Sequence, residues 1–223
     1  MIKAAIFDWD GTLVDTFPIA LRAFRQAVTS KLSEEDFKKA VSIAFGVGVK
    51  GVVREIMAWE GRKVSEGEVE EMARGKMRAQ VEMTEETELL PGAIELLNML
   101  RDNGVRMAVC SSNHAEVIRP VLEFHGLTDY FETVIVADNT KAKKLKPDPG
   151  IFLDTAERMG LSPNECCVFE DSVPGIEAAK RAGMLVIAVG TGPFERKDLL
   201  KAKPDMLIEN LEDVNRIGDF LGL

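Results

Sequence analysis

The chain opens with MIKAAIFDWDGTLVDT (residues 1–16), in which an apolar run over 2–7 is followed at once by Asp8 and Asp10. A short apolar run that ends in turn residues is typical of a buried strand in a parallel sheet. In such a sheet, ligands bind beyond the carboxyl ends of the strands. This stretch therefore predicts both a fold class and the place of a site.

The same pattern of apolar runs recurs along the rest of the chain. Further runs suited to buried strands cover 105–110, 133–137, 166–169, 185–189 and 205–208, and amphipathic helical stretches cover 91–103, 115–125, 149–159 and 174–182. Strands that alternate with helices in this way indicate parallel strands joined by helical crossovers. The sequence therefore predicts an α/β fold with a doubly wound parallel sheet.

Residues 17–89 interrupt this alternation. Helical periodicity covers 18–28, 34–44, 50–59 and 65–83, without a convincing strand between them. A connection of about seventy residues is too long for an ordinary loop. We therefore predict an inserted α-helical cap domain at 17–89, carried by a core domain that consists of 1–16 and 90–223.

Composition and charge narrow the class of protein. The 223 residues are 46% hydrophobic and carry a net charge of -9, from 28 basic and 37 acidic side chains. Such a chain can bury a full core, and it offers no general basic field for nucleic acid. We predict a small-molecule partner and infer no obligatory protein partner.

The cysteines and the length of the apolar runs indicate the cellular compartment of the protein. Cys110, Cys166 and Cys167 match neither a disulfide framework nor a metal knuckle in number and spacing. We predict buried thiols in a reducing cytosol. No apolar run approaches the roughly 20 residues that a bilayer span requires. A soluble, cytoplasmic protein without membrane contact is therefore expected.

Polar side chains follow four of the predicted strands. They are Asp8 and Asp10 after the first, Ser111, Ser112 and Asn113 after the second, Lys146 in a longer loop after the third, and Glu170 and Asp171 after the fourth. Because the carboxyl ends of parallel strands share one edge of the sheet, we expect these side chains to converge.

The chemistry of these side chains indicates a metal site beside an anion site. Neighbouring carboxylates repel unless a cation lies between them, and Asp8, Glu170 and Asp171 offer the oxygen ligands that Mg²⁺ prefers. Glu170 either binds the metal directly or accepts a hydrogen bond from a bound water. Ser111, the N–H groups at the following helix start and the ammonium of Lys146 suit a phosphate group.

Two of the polar residues at the helix start, Ser112 and Asn113, are predicted to belong to the phosphate site. For Asn113, a role in capping the helix is an equal alternative to ligand contact.

These groups predict a two-step phosphoryl transfer. Asp8 would attack phosphorus to give an aspartyl phosphate, with the charge held by Mg²⁺, Lys146 and Ser111. Asp10 would protonate the leaving alkoxide and then deprotonate the attacking water, and each role is typically worth roughly 10²–10⁴-fold in rate.

Four segments of the chain resemble the motifs of the haloacid dehalogenase (HAD) superfamily of phosphohydrolases. They are DWDGTLVDT at 8–16, the strand that ends in Ser111, KPDP at 146–149 and FEDSVPGIEAAKRAG at 169–183. The resemblance runs in the same order over nearly the whole chain. It implies a Rossmann-like α/β core, a mobile cap that closes over the substrate, and Mg²⁺ bound by Asp8, the main-chain carbonyl of Asp10 and Asp171.

The last of these segments also indicates a branch. Glu170-Asp171-Ser172 resembles the beta-phosphoglucomutase-like branch, which also contains phosphatases of hexose, deoxyhexose and polyol phosphates. The mutases of that branch carry a cap histidine and a cap-loop arginine where this chain has Ala20 and Val49-Lys50-Gly51. We therefore expect a phosphatase that hydrolyses a small phosphomonoester, a sugar phosphate by this resemblance. A phosphosugar mutase, a phosphoglycolate phosphatase and a non-catalytic binding protein on the same scaffold are the alternatives.

Specificity in such a design depends on cap side chains that face the metal. Candidates for that surface are Phe17, Phe45, Lys50, Arg54 and Lys76. Helical periodicity alone does not show which side of each cap helix this is, so a core or solvent position is the alternative for each.

Overall fold

A parallel sheet forms the centre of the molecule in a computed structural model that describes residues 1–45, 47–144 and 146–223. The strands of the molecule in chain order are β1 (Ala4–Phe7), β2 (Val14–Asp15), β3 (Glu88–Leu89), β4 (Arg106–Cys110), β5 (Thr133–Ile135), β6 (Cys166–Glu170), β7 (Leu185–Val189) and β8 (Met206–Ile208). Six of them pair in parallel in the order β5-β4-β1-β6-β7-β8, while β2 and β3 form a separate antiparallel ribbon. The predicted parallel α/β fold is confirmed.

Helices cover both faces of the sheet and fill the insertion. They are α1 (Phe17–Ala27), α2 (Glu34–Ile43), α3 (Val49–Trp59), α4 (Glu66–Glu82), α5 (Ala93–Asp102), α6 (Ala115–Phe124), α7 (Gly150–Arg158), α8 (Val173–Arg181), α9 (Arg196–Lys201) and α10 (Val214–Leu221). The sequence predicted the first eight to within a few residues, but α9 and α10 were not predicted.

Two apolar layers enclose the sheet. Along β1, Ala5 and Phe7 point into one layer, while Ala4 and Ile6 point into the other, as the alternation of a strand requires. Phe7 stacks on Phe169 of β6 with ring centroids 4.7 Å apart. Burying a side chain of this size contributes roughly 1.5–3 kcal/mol. The central strand is therefore held rigidly below the site that it ends in.

The four helices α1–α4 enclose an apolar cluster of their own, which includes Phe24, Phe37 and Ile56. Local signals set their boundaries: α4 begins at a capping box, in which Ser65 accepts from the N–H of Glu68 and the Glu68 carboxylate accepts from the N–H of Ser65. Val117 of α6 joins the same cluster from the core side. The helical unit therefore packs against the core as well as on itself.

The β2–β3 ribbon lies where the chain leaves and re-enters the sheet domain. Val14 pairs with Leu89 and Asp15 with Glu88, and the N–H of Leu90 donates to the carbonyl of Leu13 at 2.9 Å. The ribbon was not predicted, because two-residue strands show no periodicity. The predicted domain boundaries at 16/17 and 89/90 lie next to this ribbon, and the division into two domains stays a prediction.

The cysteines are buried and free, as predicted. Burial raises the pKa of the Cys110 thiol to about 12 and that of Cys166 to about 11, so these thiols stay protonated near neutral pH. Across the described ranges, no helix combines the length and apolar character needed to span a membrane.

Candidate active site

The sheet order places Asp8 at the middle of the predicted site. Strand β1 lies between β4 and β6, so the residue that follows it stands between Ser111 after β4 and Glu170 at the end of β6. The backbone ladder continues one residue past the strands, because the N–H of Asp8 donates to the carbonyl of Phe169 at 2.9 Å. The Asp8 carboxylate is thus fixed by main-chain pairing and is only 6% exposed.

Lys146 reaches this carboxylate from the loop before α7. Its ammonium donates to Oδ1 of Asp8, to Oε2 of Glu170 at 2.7 Å and to the carbonyl of Cys110 at 3.3 Å. Burial works against the charged lysine, but the two carboxylates outweigh it and raise the pKa of Lys146 above its ordinary value. Lys146 is therefore a buried ammonium held beside Asp8, and its role as a phosphate ligand stays a prediction.

The acidic groups exceed this single cation. Burial and the negative charge of Glu170 raise the pKa of Asp8 well above its usual range, although Lys146 acts in the opposite direction. Burial, Glu170 and Asp8 likewise raise the pKa of Asp171. Three carboxylates with one ammonium leave an excess of negative charge, which a bound metal ion would neutralise.

Asp171 has the surroundings of a metal ligand. Its Oδ1 accepts from the Thr12 hydroxyl at 3.2 Å, while its buried Oδ2 accepts no hydrogen bond from the described residues. A Cβ added at Gly11 or Gly192 would overlap this carboxylate, so the two glycines leave the space that it occupies. An oxygen from each of Asp8, Glu170 and Asp171 lies within 4.8 Å of the others. This buried triad suits a hard divalent cation.

Glu170 is engaged through both oxygens. Oε2 accepts from Lys146, and Oε1 accepts from the hydroxyl of Ser172 at 2.7 Å, its N–H at 3.0 Å and the N–H of Asp171 at 3.2 Å. A Cβ at Gly175 would overlap the carboxylate, which explains the glycine in the first turn of α8. The sequence left two roles open, a direct metal ligand and an acceptor for a metal-bound water; these contacts add a third, in which Glu170 orients Lys146.

Asp10 is held by side chains that follow strand β4. The amide of Asn113 donates to its two oxygens at 3.3 and 3.2 Å, and the Ser111 hydroxyl donates to Oδ2 at 3.4 Å. The side-chain oxygen of Asn113 accepts from the N–H of His114 at 2.9 Å, so Asn113 contacts both Asp10 and the main chain before α6. The buried hydroxyl of Ser112 has no partner among the described residues.

A cleft opens above these groups and below the helical unit. Its polar floor is formed by Asp8, Asp10, Ser111, Ser112 and Asn113, and its opposite wall by Ala20, Phe24, Phe45, Gly48, Val49, Val52 and Lys76. Five of the eight residues that the sequence placed after four strands therefore line one cleft between the sheet edge and the helical unit.

A family model for haloacid dehalogenase-like hydrolases matches residues 2–183 of the chain. The chain belongs to this family. The resemblance predicted from its four motifs is confirmed.

Relatives of this HAD hydrolase include several phosphatases. It is 30% identical to a phosphorylated carbohydrates phosphatase of Thermotoga maritima over 99% of this chain and 100% of that protein. It is 29% identical to a phosphoglycolate phosphatase of Nitrosospira multiformis over 97% of this chain and 95% of that one. A beta-phosphoglucomutase structure from Clostridium difficile superposes with a TM-score of 0.83 at 27% identity, covering 100% and 98% of the two chains. The predicted class, a hydrolase of phosphomonoesters, is confirmed.

The cap candidates of this hydrolase fall into two groups. Phe45 and Lys76 line the cavity, and Phe17 packs edge-on against Phe45 with ring centroids 5.1 Å apart. Lys50 instead pairs with a glutamate of α4, and Arg54 bonds another through its guanidinium at 2.7 and 2.8 Å. The sequence could not separate these groups, since each residue lies on an amphipathic helix or the loop beside one.

Lys76 is the most unusual of them. Its side chain is 3% exposed, its ammonium donates to Oε1 of Gln80, and the ring centroid of Phe24 lies 5.0 Å away. Burial lowers the pKa of Lys76 from its ordinary 10.5 to about 8, although Asp10 acts in the opposite direction. A signal for this position exists in the sequence, because Lys76 and Gln80 interrupt the stripe of Val69, Ala73 and Met77 on the buried face of α4.

Proposed function

We propose that this HAD hydrolase is a Mg²⁺-dependent phosphatase that hydrolyses a small phosphomonoester through an aspartyl phosphate on Asp8. The observation that carries the proposal is the convergence of Asp8, Lys146 and the unpartnered oxygen of Asp171 at one edge of the sheet. The cluster is buried and combines a cation, a nucleophile and a metal ligand. A phosphatase is among the relatives of the chain.

The residues divide the chemistry as follows. A carboxylate oxygen of Asp8 attacks phosphorus, the ester P–O bond breaks, and Asp10 in its protonated form gives a proton to the leaving alkoxide. Asp10 then takes a proton from the water that attacks the phosphoryl group, which releases phosphate and frees Asp8. Lys146 and the Ser111 hydroxyl hold the phosphoryl oxygens during both steps.

Magnesium fits this donor set. Asp8, Asp171 and the main-chain carbonyl of Asp10 would hold it, with Glu170 fixing Lys146 beside them. When bound, the ion would supply positive charge against the phosphoryl oxygens. The paired glycines and the free oxygen at Asp171 support this assignment.

Hydrolysis is favoured over mutase chemistry by the cap wall. A mutase must also bind a second phosphate, yet the wall contributes Lys76 as its one cation among the described residues, with Ala20 beside it. Lys50 and Arg54 are engaged in ion pairs with α4 outside the cavity. We therefore propose a phosphatase, with a phosphosugar mutase as the alternative.

The substrate class follows from the relatives. Sugar phosphates are supported by the carbohydrate phosphatase relative, and the phosphoglycolate phosphatase relative supports a short phosphorylated acid. We further propose that 17–89 acts as a cap over the cavity and that the protein works in the cytoplasm, where its free thiols would stay reduced.

The test is Mg²⁺-dependent hydrolysis of p-nitrophenyl phosphate by the wild type and Asp8→Asn. Removing the nucleophile should lower kcat to less than roughly one thousandth. Asp15→Asn is the matched control, because Asp15 lies in the same segment on the exposed ribbon and should keep its rate. Unchanged turnover in Asp8→Asn would remove Asp8 as the nucleophile, and a wild type that hydrolyses no phosphomonoester would refute the proposal.

A further inference from the structure

The cavity above Asp8 has two unlike halves. Its floor carries the carboxylates and hydroxyls that serve the phosphoryl group, whereas its cap wall is largely apolar, with Phe24, Phe45 and Val52 among its members. The leaving group of a substrate must lie against this wall, since the phosphoryl group occupies the floor. The chemistry of the wall therefore selects the leaving group.

Apolar side chains give a polyhydroxylated leaving group few partners. Each hydroxyl that loses water without a new hydrogen bond weakens binding. Beyond its apolar members, the wall presents the ammonium of Lys76, the one cation among the described cavity-lining residues. The wall is therefore poorly suited to a neutral polyol and well suited to a compact group with one negative charge.

Lys76 forms no ion pair with a carboxylate among the described residues, although the negative charge of Asp10 acts on it from the floor of the same cavity. Its ammonium donates a hydrogen bond to the neutral Gln80, and the side chain is only 3% exposed. An ammonium taken out of water without a counter-ion is costly. A bound anion would restore the missing partner, and the phosphoryl group already has Lys146 for its own charge. The unpartnered Ser112 hydroxyl in the same cavity offers a second donor.

We propose that Lys76 is the specificity-determining residue of the cap and binds a carboxylate on the leaving group, so that the preferred substrates are phosphorylated hydroxy acids. This inference rests on the proposed function and narrows it. Within phosphorylated carbohydrates, it selects acids over neutral polyols of the same size.

The test compares kcat/KM for matched phosphomonoesters that differ in charge. The wild type should hydrolyse 2-phosphoglycolate roughly 10–100-fold better than neutral 2-hydroxyethyl phosphate, because a hydrogen bond to a charged group contributes about 1.5–3 kcal/mol. Cationic phosphoethanolamine should be poorer still. The pair 3-phosphoglycerate and glycerol 3-phosphate repeats the comparison at three carbons.

Lys76→Met tests the residue. It should lower the ratio of kcat/KM between 2-phosphoglycolate and 2-hydroxyethyl phosphate to about one, mainly through a higher KM for the acid, because the contact is made away from the reacting atoms. Lys76→Arg should retain part of the preference. Lys50→Met is the matched control, a cap lysine outside the cavity, and should behave as wild type.

Two results would overturn the inference: equal kcat/KM for acid and neutral substrates in the wild type, or an equal loss on all substrates in Lys76→Met. Calorimetric binding of the same compounds to Asp8→Asn separates this inference from the proposed function. Preferential binding of 2-phosphoglycolate that depends on Lys76 supports the inference even if no substrate is turned over, a result that would refute the proposed function alone.

Discussion

Replacing Lys76 with methionine is expected to stabilise the fold at neutral pH. The side chain keeps its length and apolar stem but no longer brings a charge into an apolar wall. Burial lowers the pKa of Lys76 from 10.5 to about 8, with Asp10 opposing, a difference of about 2.5 units. At ~1.4 kcal/mol per pKa unit, the buried ammonium costs the folded protein about 3.5 kcal/mol at pH 7. Losing the bond to Gln80 offsets about 1 kcal/mol, which leaves a net gain of about 2.5 kcal/mol.

The pH dependence of this gain is the sharper part of the prediction. Between pH 8 and 10.5 the unfolded chain keeps the Lys76 proton that the folded chain has lost, so the stability of the wild type rises with pH in this window. The methionine variant has no titrating group at this position, so its stability does not gain from this proton loss. Its advantage should therefore hold below pH 8, shrink through the window, and reverse by about 1 kcal/mol above pH 10.5.

Urea unfolding of wild type and Lys76→Met at pH 7, 9 and 10.5, without Mg²⁺ or phosphate, measures this difference directly. Lys50→Met, a half-exposed lysine with an ion-pair partner, is the control and should change the free energy of unfolding by less than about 1 kcal/mol at each pH. A methionine variant that is less stable than wild type at pH 7, or a difference that does not vary with pH, would refute the reasoning.

Three further predictions concern the acidic cluster. Asp171→Asn should raise the Mg²⁺ concentration for half-maximal activity by at least roughly tenfold, because it removes a metal ligand. It should also raise Tm in EDTA, because it relieves the repulsion between neighbouring carboxylates. An unchanged Mg²⁺ requirement would contradict the role of Asp171 as a ligand. Glu170→Gln should lower kcat roughly 10–100-fold, because Lys146 loses a charged partner, and should leave the Mg²⁺ requirement within about threefold. A Mg²⁺ requirement that rises as in Asp171→Asn would instead make Glu170 a metal ligand. Gly192→Ala should displace the Asp171 carboxylate and abolish Mg²⁺-dependent turnover, whereas Gly67→Ala, with open space around its Cβ, should leave turnover unchanged; an active Gly192→Ala enzyme would show that the carboxylate has room to move.

The core and its site were predictable because they depend on patterns that survive without tertiary context. Runs such as 166–169 are apolar since both faces of a central parallel strand are buried, and the site residues follow from the single rule that ligands bind at the carboxyl ends of strands. Asp8, Lys146 and Asp171 come together for this reason, although the first and the last are 163 positions apart in the sequence.

The cap was predictable as a set of helices but not as a surface. Lys76 and Arg54 both lie on amphipathic helices, and only the packing of α4 against α1 and α3 decides that one faces the cavity and the other the solvent. The polar pair Lys76 and Gln80 on an apolar stripe was the signal available in the sequence. The Glu170 contacts were beyond sequence reasoning, because they depend on distances of a few tenths of an ångström.

The β2–β3 ribbon has a consequence for how this architecture can vary. Because Val14 and Leu89 are hydrogen-bonded neighbours, the insertion begins and ends at almost the same point in space. A segment with adjacent ends can be lengthened, shortened or exchanged without rethreading the sheet. The catalytic floor can therefore stay constant while different insertions are grafted above it. A chimaera that carries another family member's insertion between Asp15 and Glu88 should keep the phosphoryl-transfer machinery and acquire a new choice of leaving group.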